Sequence, residues 1–513
     1  MKRNILIATV IIAAMMELVD TSIVNVALSH MSGNLGATLE DTSWVITAYA
    51  IANVIIIPLT SFLANVLGRR NYYIGSIIMF TACSLLCGQA SSIWMLIIFR
   101  FLQGLGGGAL LSVSQAIIFE LFPKEKHSIA SALFGIGVFM GPTIGPTLGG
   151  FITEYYSWPW IFYINVPIGI VVSILCYILL REPPVKQAAG KTDWLGIFLL
   201  SIGVSALQIF LERGETEDWF DTSYIIWAFV IAVFGLFLFV WRQLVTPHPV
   251  VNLRVLKSRS LSVAALLTFV TGIGLFSSVY LTPVFAQQLL SFTPSQTGLL
   301  LLPGALLAVF ALMFSARLMQ KGLPPVVLIT TGFLMFVMFS YIMGKQSLET
   351  SATSITLILI WRAVGLAIIT VPLTSVAVSS LEPKDVPQGA ALNNMMRQLG
   401  GSVGLATVNT YLAHRFAQHR SDLVTDITTT DASSLTRLHQ YANYFYTKGA
   451  TINVANGESL AVLNKVINQQ ARMLSFNDTY LLVGGVFLLS LPILLFTSKR
   501  EKSKPIQVVL SDH

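Results

Sequence analysis

Stretches of about 20 mostly apolar residues, each long enough to cross a bilayer as a helix, recur along the whole of this 513-residue sequence. A segment inside lipid has to satisfy its own backbone hydrogen bonds, and a helix does so alone. Charged residues make up 11% of the chain, against roughly 25% in soluble domains. We therefore predict an all-α integral membrane protein.

Fourteen transmembrane helices are predicted from the positions of these stretches. Lys and Arg accumulate in cytoplasmic loops, and here they occur in alternate connections: Arg69 and Arg70 lie in one, whereas the opposite short loops hold only Arg213 and Lys345. An odd number of spans would break this alternation, so both termini are predicted in the cytoplasm. The predicted spans are 5–28, 44–66, 72–90, 93–116, 128–151, 160–180, 193–211, 223–243, 260–284, 295–316, 325–344, 353–378, 391–412 and 478–497.

Several classes of function find no support in the sequence. The net charge of +7 is spread over short loops rather than along one face, which argues against a nucleic-acid partner. Cys83, Cys87 and Cys176 lie inside apolar spans without metal or disulfide spacing. There is no phosphate-binding loop, and the seven histidines are scattered. We predict a protein that is not an enzyme and uses neither a metal nor a cofactor.

The first predicted span carries two acidic residues, Glu17 and Asp20. A charge at the centre of a membrane helix costs roughly 2.5–3.5 kcal/mol, so each is a candidate functional group. Three residues apart, the two carboxylates share a helix face and resist ionising together in a low dielectric. The pattern indicates proton loading and release, mainly at Asp20; a permanently ionised Asp20 paired with an arginine is the alternative. Glu17 is equally compatible with substrate contact or a structural role.

Three arginines are also predicted inside spans: Arg100, Arg362 and Arg397. A buried guanidinium needs a carboxylate, a carbonyl or water as its partner. Arg100 precedes a glycine-rich run, and it either tunes a carboxylate or braces the helix. For Arg397 the substrate, a carboxylate and backbone carbonyls all remain possible partners.

Glycine recurs every four residues through the fifth predicted span, together with two prolines. Small residues at this period let another helix approach closely, and a proline inside a helix removes a hydrogen bond and bends the helix. Such stripes also occur in static helix pairs, but repetition over four turns with two prolines favours a moving or gating interface. The residues are Gly137, Gly141, Pro142, Gly145, Pro146 and Gly149.

Several of these segments resemble motifs of one transporter family, the major facilitator superfamily. Residues 20–27, 100–108, 137–150, 160–169 and 211–220 are similar to motifs of its fourteen-helix drug:proton antiporter branch, and in particular of the EmrB-type permeases. The resemblance runs from about residue 5 to the end of the chain. It implies two six-helix bundles with two helices inserted between them, and a central cavity that opens alternately to each side.

The implied domains are an N-terminal bundle at 1–185, the inserted helices at 186–255 and a C-terminal bundle at 256–513. The segment around Arg362 is a weak internal echo of the segment around Arg100. One departure from the family pattern lies between the second and third spans, where Ser61 and Asn65 replace the usual glycine and aspartate. A charge-based latch on that side is therefore in doubt, although Asn65 can still form a weaker hydrogen bond.

Candidate substrate-binding residues are polar and aromatic side chains within the spans. Aromatic side chains in spans more often face lipid or pack against neighbouring helices, which is the alternative for each of them. The candidates are Asn25, Trp44, Tyr49, Phe276, Tyr280, Asn394 and Arg397.

Residues 413–477 form a long polar segment on the predicted outer side. Within it, 434–447 and 459–474 have helical spacing, and Gly449 is suited to a helix C-terminus. The apolar stripe consists of Leu460, Leu463, Ile467, Ala471 and Leu474. A disordered spacer is one interpretation. A folded hairpin that contacts a partner is the other, because the apolar stripe has to be buried. The family resemblance implies a periplasmic adaptor (EmrA-like) and an outer-membrane channel (TolC-like) as partners.

Together these features predict proton-coupled export of lipophilic small molecules from the bacterial inner membrane by alternating access. The direction of transport follows from the resemblance and not from energetics. An exporter of a specific metabolite or siderophore and, less favoured, an importer of the same fold are the alternatives; a channel or receptor without coupled transport is a third class.

Overall fold

The computed structural model describes residues 2–181, 192–247, 249–379, 381–382, 385–425, 427 and 431–496. All regular secondary structure in these ranges is helical. The predicted domain boundary at 185/186 and the end of the last predicted span lie outside the described residues. The helices are α1 Lys2–Leu35, α2 Leu39–Leu67, α3 Arg69–Gly88, α4 Ile93–Glu120, α5 His127–Tyr155, α6 Trp160–Tyr163, α7 Asn165–Leu179, α8 Trp194–Arg213, α9 Ser223–Val245, α10 Arg259–Leu289, α11 Pro294–Gln320, α12 Pro325–Met343, α13 Ala352–Ser379, α14 Val386–Thr425, α15 Ala432–Thr447 and α16 Ile452–Ser490.

Within the described ranges, thirteen helical segments are long and apolar enough to cross a membrane. They coincide with thirteen of the fourteen predicted spans, with α6 and α7 together forming the sixth. The remaining predicted span, 391–412, lies in α14, whose hydropathy is lowered by buried polar residues such as Asn393, Asn394 and Arg397. Because α14 packs against α10, α16, α2 and α4, these side chains face other helices, which explains how so polar a helix is accommodated.

The first and second halves of the chain pack in the same pattern. In the first half α1 packs on α5 and α4, and α4 packs on α2 and α3. In the second half α10 packs on α14 and α13, and α13 packs on α11 and α12. This pattern pairs α1 with α10, α4 with α13 and α5 with α14, as expected for a fold built from a structural repeat.

The two halves meet along α5 with α11, and more narrowly along α2 with α14. The α5–α11 contact is close because Gly298 carries no side chain: a Cβ there would stand 2.7 Å from Cβ of Thr147. The helices α8 and α9 pack on each other, with backbone nearly touching at Gly203 and Gly235, and α8 also contacts α2 and α14.

The described residues of the predicted polar segment 413–477 are mostly helical and continue two of the long helices. The helix α14 continues to Thr425, and α16 begins at Ile452 and runs unbroken to Ser490, so both rods extend beyond the predicted spans. Between them α15 packs on α16 and ends before Gly449, which has φ +93° as expected for a helix C-terminus. The prediction of a folded hairpin is confirmed.

The buried stripe of this hairpin differs in one position from the predicted stripe. Leu463 and Ala471 are buried, as are Ala455 and Ser459, but Leu460 is 58% exposed. The buried stripe on α16 therefore contains Ala455 and Ser459, which were not predicted, and excludes Leu460.

Candidate functional site

Asp20 of α1 is buried and bonded to three side chains from α4 and α7. Its Oδ2 accepts a hydrogen bond from Arg100 Nη1 at 2.5 Å, within an ion pair. Its Oδ1 accepts from Gln103 Nε2 at 3.0 Å and from Asn165 Nδ2 at 2.9 Å. Because the Asp20 and Arg100 side chains are 0% and 1% exposed, this network joins three helices away from solvent.

The Arg100 guanidinium is enclosed on its remaining sides. Its Cζ lies 4.0 Å from the centre of the Tyr49 ring and 5.6 Å from that of Phe162, within the range of cation–π attraction. Its Nε donates to the Val45 carbonyl at 3.4 Å, and Nη1 also donates to Gln103 Oε1 at 2.9 Å. Removing one member of a buried ion pair costs about 3–5 kcal/mol. Loss of either charge alone would leave the other one buried and unpaired.

Glu17 lies one turn earlier on α1 in different surroundings. Its Oε1 accepts a hydrogen bond from Asn53 Nδ2 of α2 at 3.0 Å, whereas Oε2 is buried without a hydrogen-bond partner. The hydroxyl of Tyr49 is likewise buried without a partner. Glu17 Oε2 and the Tyr49 hydroxyl are thus both left unpartnered among the described residues. The two carboxylates, predicted to share a helix face, have different hydrogen-bond partners.

The glycine stripe of α5 packs directly on the α1 segment that carries both carboxylates. A Cβ at Gly141 would stand 2.5 Å from Leu18 Cβ, and one at Gly149 would stand 2.8 Å from Ile23 Cγ1. A Cβ at Gly145 would collide with the Ser22 hydroxyl, and Gly137 lies over Met15. The helix α5 runs unbroken through its two prolines. The stripe thus sets the distance between α1 and α5.

Those two prolines have different neighbours. Pro142 lines a small enclosed cavity between the halves, together with Phe139 and Thr143. Pro146 is buried between Gly145 and Thr147, next to the close approach of α11. The predicted gating stripe therefore contacts α1 on one face and the second half of the chain on another.

Asn394 and Arg397 place polar groups of α14 against the first half. Asn394 Nδ2 donates to Gln115 Oε1 of α4 at 2.8 Å and to Ser112 Oγ at 3.4 Å. Arg397 Nη2 donates to Asn394 Oδ1 at 2.6 Å. The Asn394 contacts connect the two halves of the chain.

The other predicted binding residues are dispersed. Asn25 is exposed on α1, Trp44 lies with its ring centre 5.2 Å from Arg213 Cζ, and Phe276 packs against Gly401 of α14. Tyr280 is 36% exposed, and Tyr49 covers Arg100. None of the seven predicted binding residues lines the enclosed cavity between α5, α10, α11 and α13.

A charge-based contact does exist near the departure from the family loop. Arg69 forms an ion pair with Glu120 at the end of α4, and Arg70 donates to the Tyr177 carbonyl at 2.7 Å. Asn65 is exposed. The contacts that join α3 to α4 and α7 are therefore made by the first two residues of α3, Arg69 and Arg70.

Sequence reasoning missed most of the uncharged members of these networks. Gln103, Asn53 and Gln115 are neutral amides, whose presence in a span gives a weaker signal than a charge. A second small-residue stripe on α14 was also missed: Gly400 and Gly404 approach the backbone of α10, as the α5 stripe approaches α1. Its four-residue spacing was the available signal.

Comparisons with known proteins agree with this architecture. The sequence model of the Major Facilitator Superfamily matches residues 10–405. Fatty acid resistance protein FarB of Neisseria gonorrhoeae is 32% identical over 482 residues, covering 94% of this chain and 93% of that protein. Multidrug export protein EmrB of Escherichia coli K12 is 32% identical over 489 residues, with coverage of 94% and 93%.

Among solved structures, the human organic anion transporter MFSD10 superposes with a TM-score of 0.60 at 14% identity, covering 96% of this chain and 99% of that chain. At this identity the likeness concerns the fold alone. The family model matches most of the sequence, and relatives above 30% identity cover nearly its whole length. Both findings agree with the helix packing described above. The chain belongs to the major facilitator superfamily of membrane transporters.

Proposed function

We propose that this protein is a proton-coupled efflux permease that exports lipophilic small molecules by alternating access. The observation that carries the proposal is the buried Asp20–Arg100 pair, 2.5 Å between Nη1 and Oδ2, on the helix that packs against the α5 glycine stripe. A charged pair sealed between helices is a bistable element, because its two protonation states demand different packing. The names of the relatives EmrB and FarB support export of lipophilic compounds.

Asp20 is the main protonation site in this proposal, and Glu17 is the second candidate site. Protonation of Asp20 separates it from Arg100, which then needs another partner and loosens α1 from α4 and α7. The α1–α5 contact has almost no side-chain volume between the backbones, so α1 can shift along the stripe. Substrate binding in the alternate orientation favours loss of the proton and restores the pair.

Glu17 accepts a proton without breaking an ion pair, because Oε2 has no partner. Its Oε1 accepts a hydrogen bond from Asn53 of α2, and α2 packs on α14 of the second half. We propose that Glu17 reports proton occupancy to the interface between the halves, while Asp20 controls the first half.

We further propose that the chain lies in the bacterial inner membrane with both termini in the cytoplasm. In this arrangement residues 1–185 and 256–513 act as the moving bundles, and 186–255 carry the inserted pair. The helical end formed by α14, α15 and α16 then faces the periplasm. Exposed apolar residues such as Tyr446 and Ile452 suit contact with an adaptor that leads to an outer-membrane channel.

The test is accumulation of a lipophilic dye in inside-out membrane vesicles that contain the protein, driven by an imposed pH gradient. An exporter is expected to accumulate dye when the vesicle interior is acidic and to stop when the gradient is collapsed. Vesicles with Arg437→Gln, an exposed residue of α15, serve as the control for expression and handling. Accumulation only with the reversed gradient would identify an importer, and accumulation independent of the gradient would contradict proton coupling.

A further inference from the structure

Arg362 is a buried cation that the mechanism above does not use. It lies on α13 with 7% of its surface exposed. Its Nη1 donates to the Ser278 carbonyl at 3.0 Å and to Thr282 Oγ1 at 3.4 Å, and its Nε is buried without a hydrogen-bond partner. No carboxylate of the described residues forms an ion pair with it.

Comparison of the two halves shows which partner Arg362 lacks. The pattern of helix packing pairs α13 with α4 and α10 with α1, so Arg362 facing α10 corresponds to Arg100 facing α1. In the first half α1 supplies Asp20 to the arginine. In the second half α10 supplies only the neutral Ser278 carbonyl and Thr282 hydroxyl. Charged side chains in membrane-spanning bundles pair with one another or with backbone carbonyls, and among the described residues of the second half Arg362 meets only neutral oxygens.

A small cavity adjoins Arg362. Arg362 lines it, with Phe139, Pro142 and Thr143 of α5 on the opposite wall and apolar side chains of α10 and α11 between them. The cavity has a volume of about 10 Å³, which is about the room that one water needs. It lies between the halves, where repeat-built transporters bind their substrates, and it enlarges only if α5 and α11 separate.

We propose that Arg362 binds the anionic group of a lipophilic substrate, a carboxylate or an equivalent planar anion, in this cavity. The inference rests on the proposed efflux function and names a substrate class for it. The Arg362 fork matches a carboxylate in shape and charge, and the apolar wall accepts the hydrophobic body. The substrate anion would take the place in the second half that Asp20 holds in the first.

Equilibrium binding to the purified full-length protein in lipid nanodiscs tests this proposal. The probes are radiolabelled 2-naphthoate and 2-naphthylmethylammonium, which share a ring system and differ in charge; empty nanodiscs give the partition background. Arg362→Gln is expected to weaken naphthoate binding by about tenfold, the size of one charge-assisted contact, and Arg362→Lys by less. Both variants are expected to bind the ammonium probe within about twofold of wild type.

Arg437→Gln on the exposed face of α15 is the matched control and is expected to bind both probes as wild type does. Equal losses of both probes in Arg362→Gln would identify Arg362 as a brace between α10 and α13 and overturn the proposal. Unchanged naphthoate binding, or no naphthoate binding by wild type above the empty nanodiscs, would overturn it as well. Because the assay uses no proton gradient, its result is independent of whether proton coupling stands.

Discussion

At the scale of single residues, the chemistry of this transporter depends on which neighbour each buried charge meets. The hydrogen-bond partners of Asp20 are a guanidinium and two amides, and that of Glu17 is one amide. The partners of Arg362 are a carbonyl and a hydroxyl. Of these three charged side chains, only Asp20 forms an ion pair among the described residues.

Breaking the Asp20–Arg100 pair from the arginine side is expected to destabilise the protein. Arg100→Gln leaves the buried Asp20 without its cation, and we expect a loss of about 3–5 kcal/mol, seen as a lower midpoint of thermal unfolding in detergent. The double variant Asp20→Asn with Arg100→Gln removes both charges and is expected to recover most of that stability while remaining inactive in transport. A double variant as unstable as Arg100→Gln alone would contradict the ion-pair account.

The sequence predicted which charged side chains lie buried within the helices, but not their partners. Charged residues within apolar spans stand out by their cost alone, so Glu17, Asp20, Arg100, Arg362 and Arg397 were identified. The pairing of Asp20 with Arg100 was one of two open alternatives, because it depends on how α1 and α4 are rotated. Amides such as Gln103 carry a weak hydropathy signal, and the dispersed aromatic candidates carry none that separates a binding site from packing.

At the scale of helices, the contact between α1 and α5 leaves little room for any added side-chain atom. We expect Gly141→Ala to push α1 away, because the new Cβ would stand 2.5 Å from Leu18 Cβ. The transport rate is expected to fall by at least tenfold at normal expression. Gly485→Ala on α16, where a Cβ meets nothing within 4 Å, is the matched control. Equal activity of both variants would argue against close α1–α5 packing as a requirement.

The N-terminus of helix α15 carries a pH-dependent cap. Asp431 accepts hydrogen bonds from the hydroxyls and backbone amides of Ser434 and Ser433, and these bonds hold the pKa of Asp431 well below its usual range. A lowered pKa stabilises the folded state above the unfolded pKa of about 3.9, and that contribution is lost as pH falls through the folded pKa.

Hydrogen exchange in the first turn of α15 measures this cap. Asp431→Ala is expected to raise the exchange rate severalfold at pH 7, whereas Asp422→Ala, on an exposed position of α14, is expected to leave it unchanged. Wild-type protection, corrected for intrinsic rates, is expected to stay constant from pH 7 to about pH 5 and to fall only in stronger acid. A decline already between pH 7 and 6 would contradict the lowered pKa.

Helix positions were largely predictable, whereas the lengths of α14 and α16 were not. Spans such as α3 and α5 follow from apolar length alone. The extensions of α14 to Thr425 and of α16 back to Ile452 consist of polar sequence, which hydropathy assigns to a loop. Helical spacing did predict a hairpin there, but the stripe on α16 uses Ala455 and Ser459, residues too small to stand out.

At the scale of the whole molecule, polar contacts between α14 and α4 join the halves. Asn394 of α14 bonds Gln115 of α4 at 2.8 Å, near the end of the bundle where α4 terminates at Glu120. Opening this end requires the contact to break. The similarity of the Arg100 and Arg362 segments predicted a structural repeat. The interface between the halves is broad at α5–α11 and narrow at α2–α14, and this difference depends on side-chain packing that a single sequence does not reveal.

Joining the halves covalently at this point is expected to stop transport. With Cys83, Cys87 and Cys176 replaced by alanine, the pair Gln115→Cys and Asn394→Cys is expected to cross-link with a short thiol-reactive reagent and to lose activity. A reagent with a cleavable disulfide is expected to give activity back after reduction, and either single variant is expected to stay active. Full activity of the cross-linked protein would mean that this contact persists throughout the cycle.

Substrate-driven proton movement in proteoliposomes, compared between wild type and Asp20→Asn, tests the central claim most directly. The account predicts that adding a lipophilic substrate dissipates an imposed pH gradient in wild-type vesicles and leaves it intact with Asp20→Asn, while the variant still unfolds cooperatively in a thermal scan. Equal proton movement by the two proteins would contradict Asp20 as the coupling site and direct the same measurement to Glu17→Gln.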